Sequence, residues 1–446
     1  MIIKRSLDRL KVLKGFAREV FPERLFELRV IFISRMRSLL PGRRPSGLII
    51  GSSNSANQAS AWTHALNSQP SEGATSSDIW HGSISVRIAD EKTPGWFASD
   101  IEISTAERAG LEFRRQLLRR EFIPRGAVLI ESLRPFFAFR KRKLGFASHF
   151  TLDDLILLRR MGKKIGVIFH GSDIRDPLAH AARNPYSPFR SEDPVIQTAV
   201  SELFKRSQIN RELLPMLRRS QIPVFISTPD LFLEVPEATW LPAVVDCNIF
   251  REIARSSPLF THEKLRVLYI PSRSWIKSAH LITPILEKLK AEGVIEWVNH
   301  VENGSVNHEE ILGLIANADV VIDQFIGLFG VFALEAVASG RIVLTYVDPE
   351  YAAHPTPPHI NVTPLTLEDE IRRVARDRER ALIRTQKVVG IEGEARLCFT
   401  EVPLQRGIEA GLNFVQFYHD ESFSARVIQQ ELVKGIKGIK SRRNHE

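Results

Sequence analysis

The sequence contains few cysteines and no long apolar run. Only Cys247 and Cys398 are present, too few for a disulfide framework, and such a content is typical of a reducing compartment. No uninterrupted apolar stretch reaches the length of about 18 residues that a membrane-spanning helix needs. The first residues carry charges throughout, which argues against a secretory signal. We therefore expect a cytoplasmic protein.

Several motifs of cofactor and metal chemistry are also missing. No group of His, Cys, Asp or Glu has the spacing of a zinc site, and no Asp-x-Asp pair occurs. No Gly-x-Gly-x-x-Gly follows the first strand pattern, which disfavours a dehydrogenase, and no phosphate-binding loop of the nucleoside triphosphatases is present. The sequence therefore predicts neither a metal nor a cofactor.

Positive charge is concentrated at the start of the chain. The net charge is +9, and residues 1–45 contain twelve Lys and Arg against four Asp and Glu. Apolar residues recur there at near-helical spacing between the basic ones, which predicts a basic amphipathic extension. Such a helix either lies peripherally on an anionic membrane surface, at the inner face, or packs on the body of the protein. Nucleic acid is not expected as a partner, because the aromatic residues there lie among aliphatic ones.

The rest of the chain is long enough for two domains and alternates short apolar runs with helical patterns. This alternation predicts an α/β protein with two Rossmann-like domains, at 46–250 and 260–410, joined by a hinge within 242–263. Ligand is expected in the cleft over the carboxyl ends of the strands. The predicted strands lie at 47–51, 127–130, 165–169 and 224–226, and then at 265–270, 295–298, 320–322 and 342–346.

The most informative pattern is a strand, a glycine-bearing turn and a helix in the second half. The apolar run Val320–Ile322 ends at Asp323, and a turn from Gly327 to Gly330 leads into a helical pattern with one carboxylate, Glu335. Such a turn directs backbone N–H groups towards an anion above the strand end. A carboxylate one turn into the helix can accept hydrogen bonds from ribose hydroxyls. Diphosphate plus sugar hydroxyls describes a nucleotide-sugar.

The run GLFGVFALEAVASG, residues 327–340, resembles the signature of the group 1 retaining glycosyltransferases, which have the GT-B fold of two Rossmann-like domains facing across a cleft. That signature contains two glutamates separated by seven residues. Glu335 matches the second, which holds the donor ribose, and Gly330 matches the helix-opening glycine. Gly327 stands where the family has the first glutamate, which contacts the donor sugar or its phosphate. The resemblance also implies that residues 411–446 form a helix crossing back to the first domain.

Two cations follow the strand pattern at 265–270. In the family an Arg and a Lys in this loop hold the donor diphosphate, and Arg273 and Lys277 match them approximately. Cleavage of the glycosidic bond places negative charge on the diphosphate, so fixed cations there lower the barrier. The alternative is that both side chains are simply solvated.

Two loops of the first half carry further candidates. His170 follows a strand in the segment HGSDIR, and family members with a similar loop place this histidine near the donor sugar. Asp173 is expected to fix that loop, with Arg175 as one candidate partner. A lone histidine is more often structural, which is the alternative for His170. Gly51 and the polar residues after it resemble the loop that closes over the donor phosphate and admits the acceptor.

The sequence therefore predicts a metal-independent glycosyltransferase of the hexosyltransferase type, retaining if the family pattern holds. It would move a sugar from a nucleotide-sugar to a glycan or lipid-linked acceptor in cell-envelope polysaccharide biosynthesis. Basic clusters at 114–120 and 140–143 lie in the half that takes the acceptor in this fold. One alternative is a sugar-nucleotide epimerase of the same fold. The other is a non-catalytic glycosyltransferase-like binding subunit, which the glycine at position 327 favours.

Overall fold

The computed structural model describes residues 24–40, 45–69, 80–89, 97–104, 111–137, 150–271, 275–298, 308–348, 354–378, 382–391 and 394–434. Three sets of sequence predictions lie outside these ranges. They are the first 23 residues of the basic extension, the proposed diphosphate ligand Arg273, and the basic cluster at 140–143.

Seven parallel strands form the sheet of the first lobe, in the order β3-β2-β1-β4-β5-β6-β7. The central strands β1 and β4 are buried along their whole length, as expected for a parallel sheet covered by helices on both faces. Because the chain runs outwards from β1 in both directions, the switch point of this sheet lies between β1 and β4. The strands are β1 Leu48–Ser52, β2 Ile84–Ala89, β3 Ile101–Ser104, β4 Ala127–Glu131, β5 Lys164–Phe169, β6 Val224–Ile226 and β7 Thr239–Trp240.

Six helices accompany this sheet in the described parts of the chain. The longest, α6, begins where Asp193 accepts hydrogen bonds from two N–H groups of its first turn and Pro194 occupies the first helical position. The helices are α1 at 24–39, α2 Gln58–Asn67, α3 Leu111–Leu117, which continues as a π-helical turn Leu118–Phe122, α4 Phe150–Arg160, α5 Pro177–Arg183 and α6 Pro194–Arg219.

Five parallel strands form the sheet of the second lobe, in the order β12-β11-β10-β8-β9. Its switch point therefore lies between β8 and β10. The strands are β8 Leu265–Leu268, β9 Ile295–Trp297, β10 Val320–Ile322, β11 Ile342–Thr345 and β12 Ile360–Asn361. The helices are α7 Cys247–Ser256, α8 Ala279–Ala291, α9 His308–Ala316, α10 Val331–Ala338 and α11 Leu367–Asp377.

The chain returns to the first lobe at its C-terminal end. An antiparallel hairpin of β13, Leu382–Ile391, and β14, Glu394–Pro403, precedes α12, Leu404–Tyr418. Helix α12 packs closely on α10, since a Cβ at Gly411 would lie 2.8 Å from a Val337 methyl carbon. Helix α13, Glu421–Lys434, packs instead on α2 and on β5 of the first lobe.

The predicted strands are present in both lobes, and the prediction of an α/β protein with two parallel sheets is confirmed. Two such sheets are compatible with two Rossmann-like domains. The sequence did not predict strands β2, β3, β7 and β12, the hairpin, or helix α7, which lies inside the expected hinge. Within the described ranges, no helix combines the length and the apolar character that crossing a membrane requires.

Candidate functional site

The switch point of the first sheet holds a buried carboxylate and a histidine. Glu131 is the last residue of β4 and its side chain is fully buried, whereas the His170 side chain, directly after β5, is 15% exposed. The His170 Nε2–H donates to Glu131 Oε1 over 3.1 Å. Neighbouring parallel strands end at the same edge of the sheet, which explains why residues 39 positions apart in sequence meet here.

The loop after β1 closes around the same carboxylate. The backbone N–H groups of Ser53, Asn54 and Ser55 donate to Glu131 over 2.9, 2.7 and 3.1 Å. Asn54 has a left-handed backbone conformation, φ 50°, which helps successive N–H groups converge on one anion. In the loop that the sequence predicted to close over a donor phosphate, these three amides are thus engaged by a carboxylate of the protein.

The pKa values of Glu131 and His170 shift in opposite directions. Burial would raise the pKa of Glu131, but the hydrogen bond and charge of His170 and the N–H groups of Ser53 and Ser55 outweigh it and lower the pKa to about 2. Burial would lower the pKa of His170, but the hydrogen bond and charge of Glu131 and the charge of Asp173 raise it. Both shifts favour the charged forms, imidazolium for His170 and carboxylate for Glu131.

Asp173 and Trp62 also fix the position of His170. The Asp173 carboxylate accepts hydrogen bonds from the N–H groups of His170, at 3.0 Å, and Gly171, at 2.7 Å. The imidazole ring also stacks on Trp62, with centroids 6.0 Å apart and planes 12° from parallel. Asp173 thus fixes the loop through backbone N–H groups, while Arg175 donates to buried Asp230.

Gly51 has a packing reason to be glycine. A Cβ at this position would lie 2.4 Å from the Val86 carbonyl oxygen of the neighbouring strand and 2.9 Å from the Phe136 ring. Backbone atoms of a sheet cannot give way by that amount at low cost. Close packing between β1 and β2 therefore accounts for Gly51 without any ligand.

The switch point of the second sheet brings together Lys277 and Gly330. The Lys277 ammonium donates to Asp323 Oδ1 over 2.5 Å, and the Gly330 N–H donates to Asp323 Oδ2 over 2.8 Å. A Cβ at Gly330 would lie 3.2 Å from the Lys277 nitrogen. The cation and the helix-opening glycine that the sequence assigned to one phosphate are neighbours, with Asp323 beside both.

At this switch point, Asp323 competes with any phosphate for Lys277. Asp323 is fully buried and Lys277 is 16% exposed, so the accessible partner of the ion pair is the cation. The loop is held from behind, since the Tyr269 hydroxyl donates to the Lys277 carbonyl over 2.9 Å. An anion entering here has to share Lys277 with Asp323 or displace that carboxylate.

Gly327 has a conformational reason to be glycine. Its φ is +94°, in the region that glycine adopts without strain and other residues rarely do. Its carbonyl accepts a hydrogen bond from the Asp348 N–H over 3.2 Å, which ties the turn to the segment after β11. The position thus shapes the backbone and provides no side chain for a sugar.

Glu335 pairs with a histidine that sequence reasoning missed. His308 Nε2–H donates to Glu335 Oε1 over 2.9 Å, and this hydrogen bond raises the pKa of His308 against the opposing effect of burial. Phe97 of the first lobe packs edge-on against His308, with centroids 5.4 Å apart. The two lobes therefore meet at the predicted ribose position. Residues 308 and 335 have no characteristic spacing, so no sequence signal could have paired them.

The lobes also contact each other around the turn after β10. His180 donates from Nε2 to the Ile326 carbonyl over 2.9 Å, and the Asn184 side-chain amide donates to the Phe325 carbonyl over 3.2 Å. A small neighbouring pocket between the lobes has aromatic and polar walls. Its lining includes Thr228, Asp230 and Trp240 of the first lobe, Gly327 and Phe329 of the second, and Phe414 and His419 of α12 and its end.

Within the described ranges, no three His, Cys, Asp or Glu side chains converge in the manner of a metal site. No protein-family model and no curated protein matches the chain.

Proposed function

We propose that the chain is a metal-independent glycosyltransferase of the GT-B fold that moves a sugar from a nucleotide-sugar to a glycan or lipid-linked acceptor, as in cell-envelope polysaccharide biosynthesis. One observation carries the proposal. The Lys277 ammonium lies beside Gly330, at the N-terminus of α10 and at the switch point of the second sheet. A cation and a helix N-terminus at the carboxyl ends of parallel strands are the groups that bind diphosphate.

Three parts of the proposed site would take part in this reaction: the two cations Lys277 and Arg273, the carboxylate of Glu335, and His170. Lys277, with Arg273, would bind the diphosphate and stabilise the charge that develops on it as the glycosidic bond breaks. Glu335 would accept hydrogen bonds from the ribose, oriented by His308. His170, whose charge and ring position Glu131, Asp173 and Trp62 fix, would lie by the donor sugar and stabilise negative charge on the leaving group.

A second candidate is a non-catalytic subunit that binds a nucleotide or glycan. Two observations favour it: Gly327 lacks the side chain that contacts the donor sugar, and Asp323 already pairs with Lys277. A sugar-nucleotide epimerase of the same fold is the third reading, and it needs no acceptor.

Turnover of a panel of nucleotide-sugars, with and without glycan and lipid-linked acceptors, separates the three. Transfer that requires an acceptor and releases nucleoside diphosphate supports the transferase. An epimerised sugar formed from donor alone supports the epimerase, and nucleotide binding without turnover supports the binding subunit.

Two variants test the assigned residues. We expect Lys277→Ala and Glu335→Ala each to abolish transfer while the far-ultraviolet circular dichroism stays unchanged. Lys288→Ala is the matched control, because this lysine pairs with Glu368 on the surface of the same lobe. Full activity in both site variants would contradict the donor-site assignment.

A further inference from the structure

Helix α1 has one face that packs on the first lobe. Phe26 and Val30 are buried in the hydrophobic core of that lobe. One further turn along the same face, the Ser34 hydroxyl donates to the Met161 carbonyl over 2.9 Å. The orientation of the helix on the protein body is therefore fixed, and its other faces are turned outwards.

The opposite face of α1 is apolar and exposed. Five side chains at spacings of three and four residues form a continuous row on one side of the helix, which we term the α1 stripe. A surface helix normally places polar residues on this side, and a contiguous exposed apolar patch marks an interaction site. The stripe consists of Leu25, Leu28, Phe32, Met36 and Leu39, which are 52%, 51%, 65%, 42% and 72% exposed.

Arginines border the stripe and no acid lies among them. By helical geometry Arg29 flanks one side, and Arg24 and Arg35 flank the other; all three are exposed. Glu27 is the one acidic residue in the sequence from 24 to 40, and it accepts a hydrogen bond from buried Arg114 of the first lobe.

The positive character continues onto the first lobe. Arg115 and Arg119 place their guanidinium groups over the Phe26 ring, 5.5 and 5.0 Å from its centroid. The Arg35 Nε–H donates to the carbonyl of Arg160, at the end of α4, over 2.7 Å. The surroundings of the stripe are thus basic on the helix and on the lobe beneath it.

We propose that the α1 stripe docks the protein on an anionic lipid surface. The apolar side chains would enter the boundary between headgroups and acyl chains, while the arginines bind lipid phosphates. A second copy of α1 fits less well, because pairing two stripes would bring arginine against arginine with no free acid to compensate. This inference is independent of the proposed transferase activity and gives such an enzyme direct access to a lipid-linked acceptor.

Co-sedimentation of the full chain with vesicles tests the proposal. We expect binding to vesicles of phosphatidylcholine mixed with phosphatidylglycerol and little binding to phosphatidylcholine alone. Replacing Phe32 and Leu39 together by serine should weaken binding at least tenfold. The matched control is the double replacement of Phe417 and Leu365 by serine, which removes similarly exposed side chains of the second lobe and α12, 64% and 81% exposed.

The charge contribution is tested separately. Arg29→Gln should lower the vesicle partition coefficient about fivefold, the effect of one basic residue near an anionic surface, whereas exposed Arg255→Gln on α7 should not change it. Unchanged vesicle binding in the stripe variant would overturn the proposal, since other segments would then hold the membrane. Loss of self-association in that variant, with no vesicle binding by the parent chain, would assign the stripe to a second copy instead.

Discussion

The switch points of the two sheets are built in the same way but differ in the number of backbone hydrogen bonds at the central carboxylate. In each, a buried carboxylate holds a cation and the backbone of a neighbouring loop: Glu131 with His170 in the first lobe, and Asp323 with Lys277 in the second. Glu131 engages three N–H groups of its loop, whereas Asp323 accepts one, from Gly330. The first cluster therefore supports the structure of its lobe. In the second, Asp323 engages only Lys277 and the Gly330 N–H, and an external anion would share Lys277 with this carboxylate or displace it.

The largest expected difference between the clusters is in stability. Glu131→Ala leaves three N–H groups and the imidazole of His170, which is 15% exposed, without their acceptor, so we expect the free energy of unfolding to fall by about 3–5 kcal/mol. Asp323→Ala leaves one N–H group and a partly exposed lysine, and should cost about 1–3 kcal/mol. Urea denaturation measures both. Equal losses would remove the distinction between a structural and a ligand-binding cluster.

Replacement of Gly51 by alanine should destabilise the protein more than replacement of Gly330. At Gly51 an alanine Cβ meets the Val86 carbonyl oxygen at 2.4 Å, and we expect Gly51→Ala to cost about 3 kcal/mol of stability. At Gly330 the nearest atoms, 3.2 Å away, belong to Asp323 and Lys277, and the lysine end can move. We expect Gly330→Ala to cost about 1 kcal/mol, because two side-chain ends and no backbone atom have to yield. Thermal denaturation of both variants tests the order, and a larger loss at Gly330 would contradict it.

The Glu131–His170 pair should give stability a dependence on pH. The folded-state pKa of Glu131 is lowered to about 2, so its contribution is present above pH 4.5 and is lost as the pH falls towards 2. The pKa of His170 is raised, so its contribution is present below pH 6.5 and is lost as the pH rises through the folded-state value. Glu131→Gln should flatten both limbs in urea denaturation at a series of pH values. The variant Glu263→Gln, at an exposed residue, is the control. A pH profile of Glu131→Gln equal to that of the parent chain would refute the pairing.

Substitution of Asp323 should also increase the affinity for a ligand. If Asp323 competes with phosphate for Lys277, Asp323→Asn should tighten binding of a nucleoside diphosphate about tenfold, equivalent to about 1.4 kcal/mol. Calorimetric titration of the parent and the variant measures the change. Weaker binding in Asp323→Asn would show that the carboxylate orients Lys277 for the ligand and does not oppose it.

The sheets could be predicted from sequence because buried parallel strands are continuous apolar runs. Val320–Ile322 and Val224–Ile226 coincide with their strands, since every residue of such a run faces the core. The edge strands β3 and β12 are partly exposed and carry polar residues, so their pattern is weaker. The hairpin at 382–403 is long and antiparallel, and its mixed polar sequence gave no signal.

At the candidate site, the sequence located the groups at strand ends but not their internal partners. The sequence placed Lys277 and Gly330 after the ends of two strands, and they are neighbours in the structure because parallel strands end at the same edge of the sheet. Glu131 and Asp323 were each seen only as the residue that ends a strand. Their pairing with His170 and Lys277 depends on which strands are neighbours in space, and that order is a property of the sheet and not of local sequence.

The central claim is that the second lobe binds a diphosphate through Lys277 and the N-terminus of α10. Calorimetric titration with adenosine, guanosine, uridine and thymidine diphosphates tests it most directly. We expect at least one to bind, with affinity reduced at least tenfold in Lys277→Ala and unchanged in Lys288→Ala. Absence of binding to all four, or equal affinity in Lys277→Ala and the parent chain, would contradict the claim.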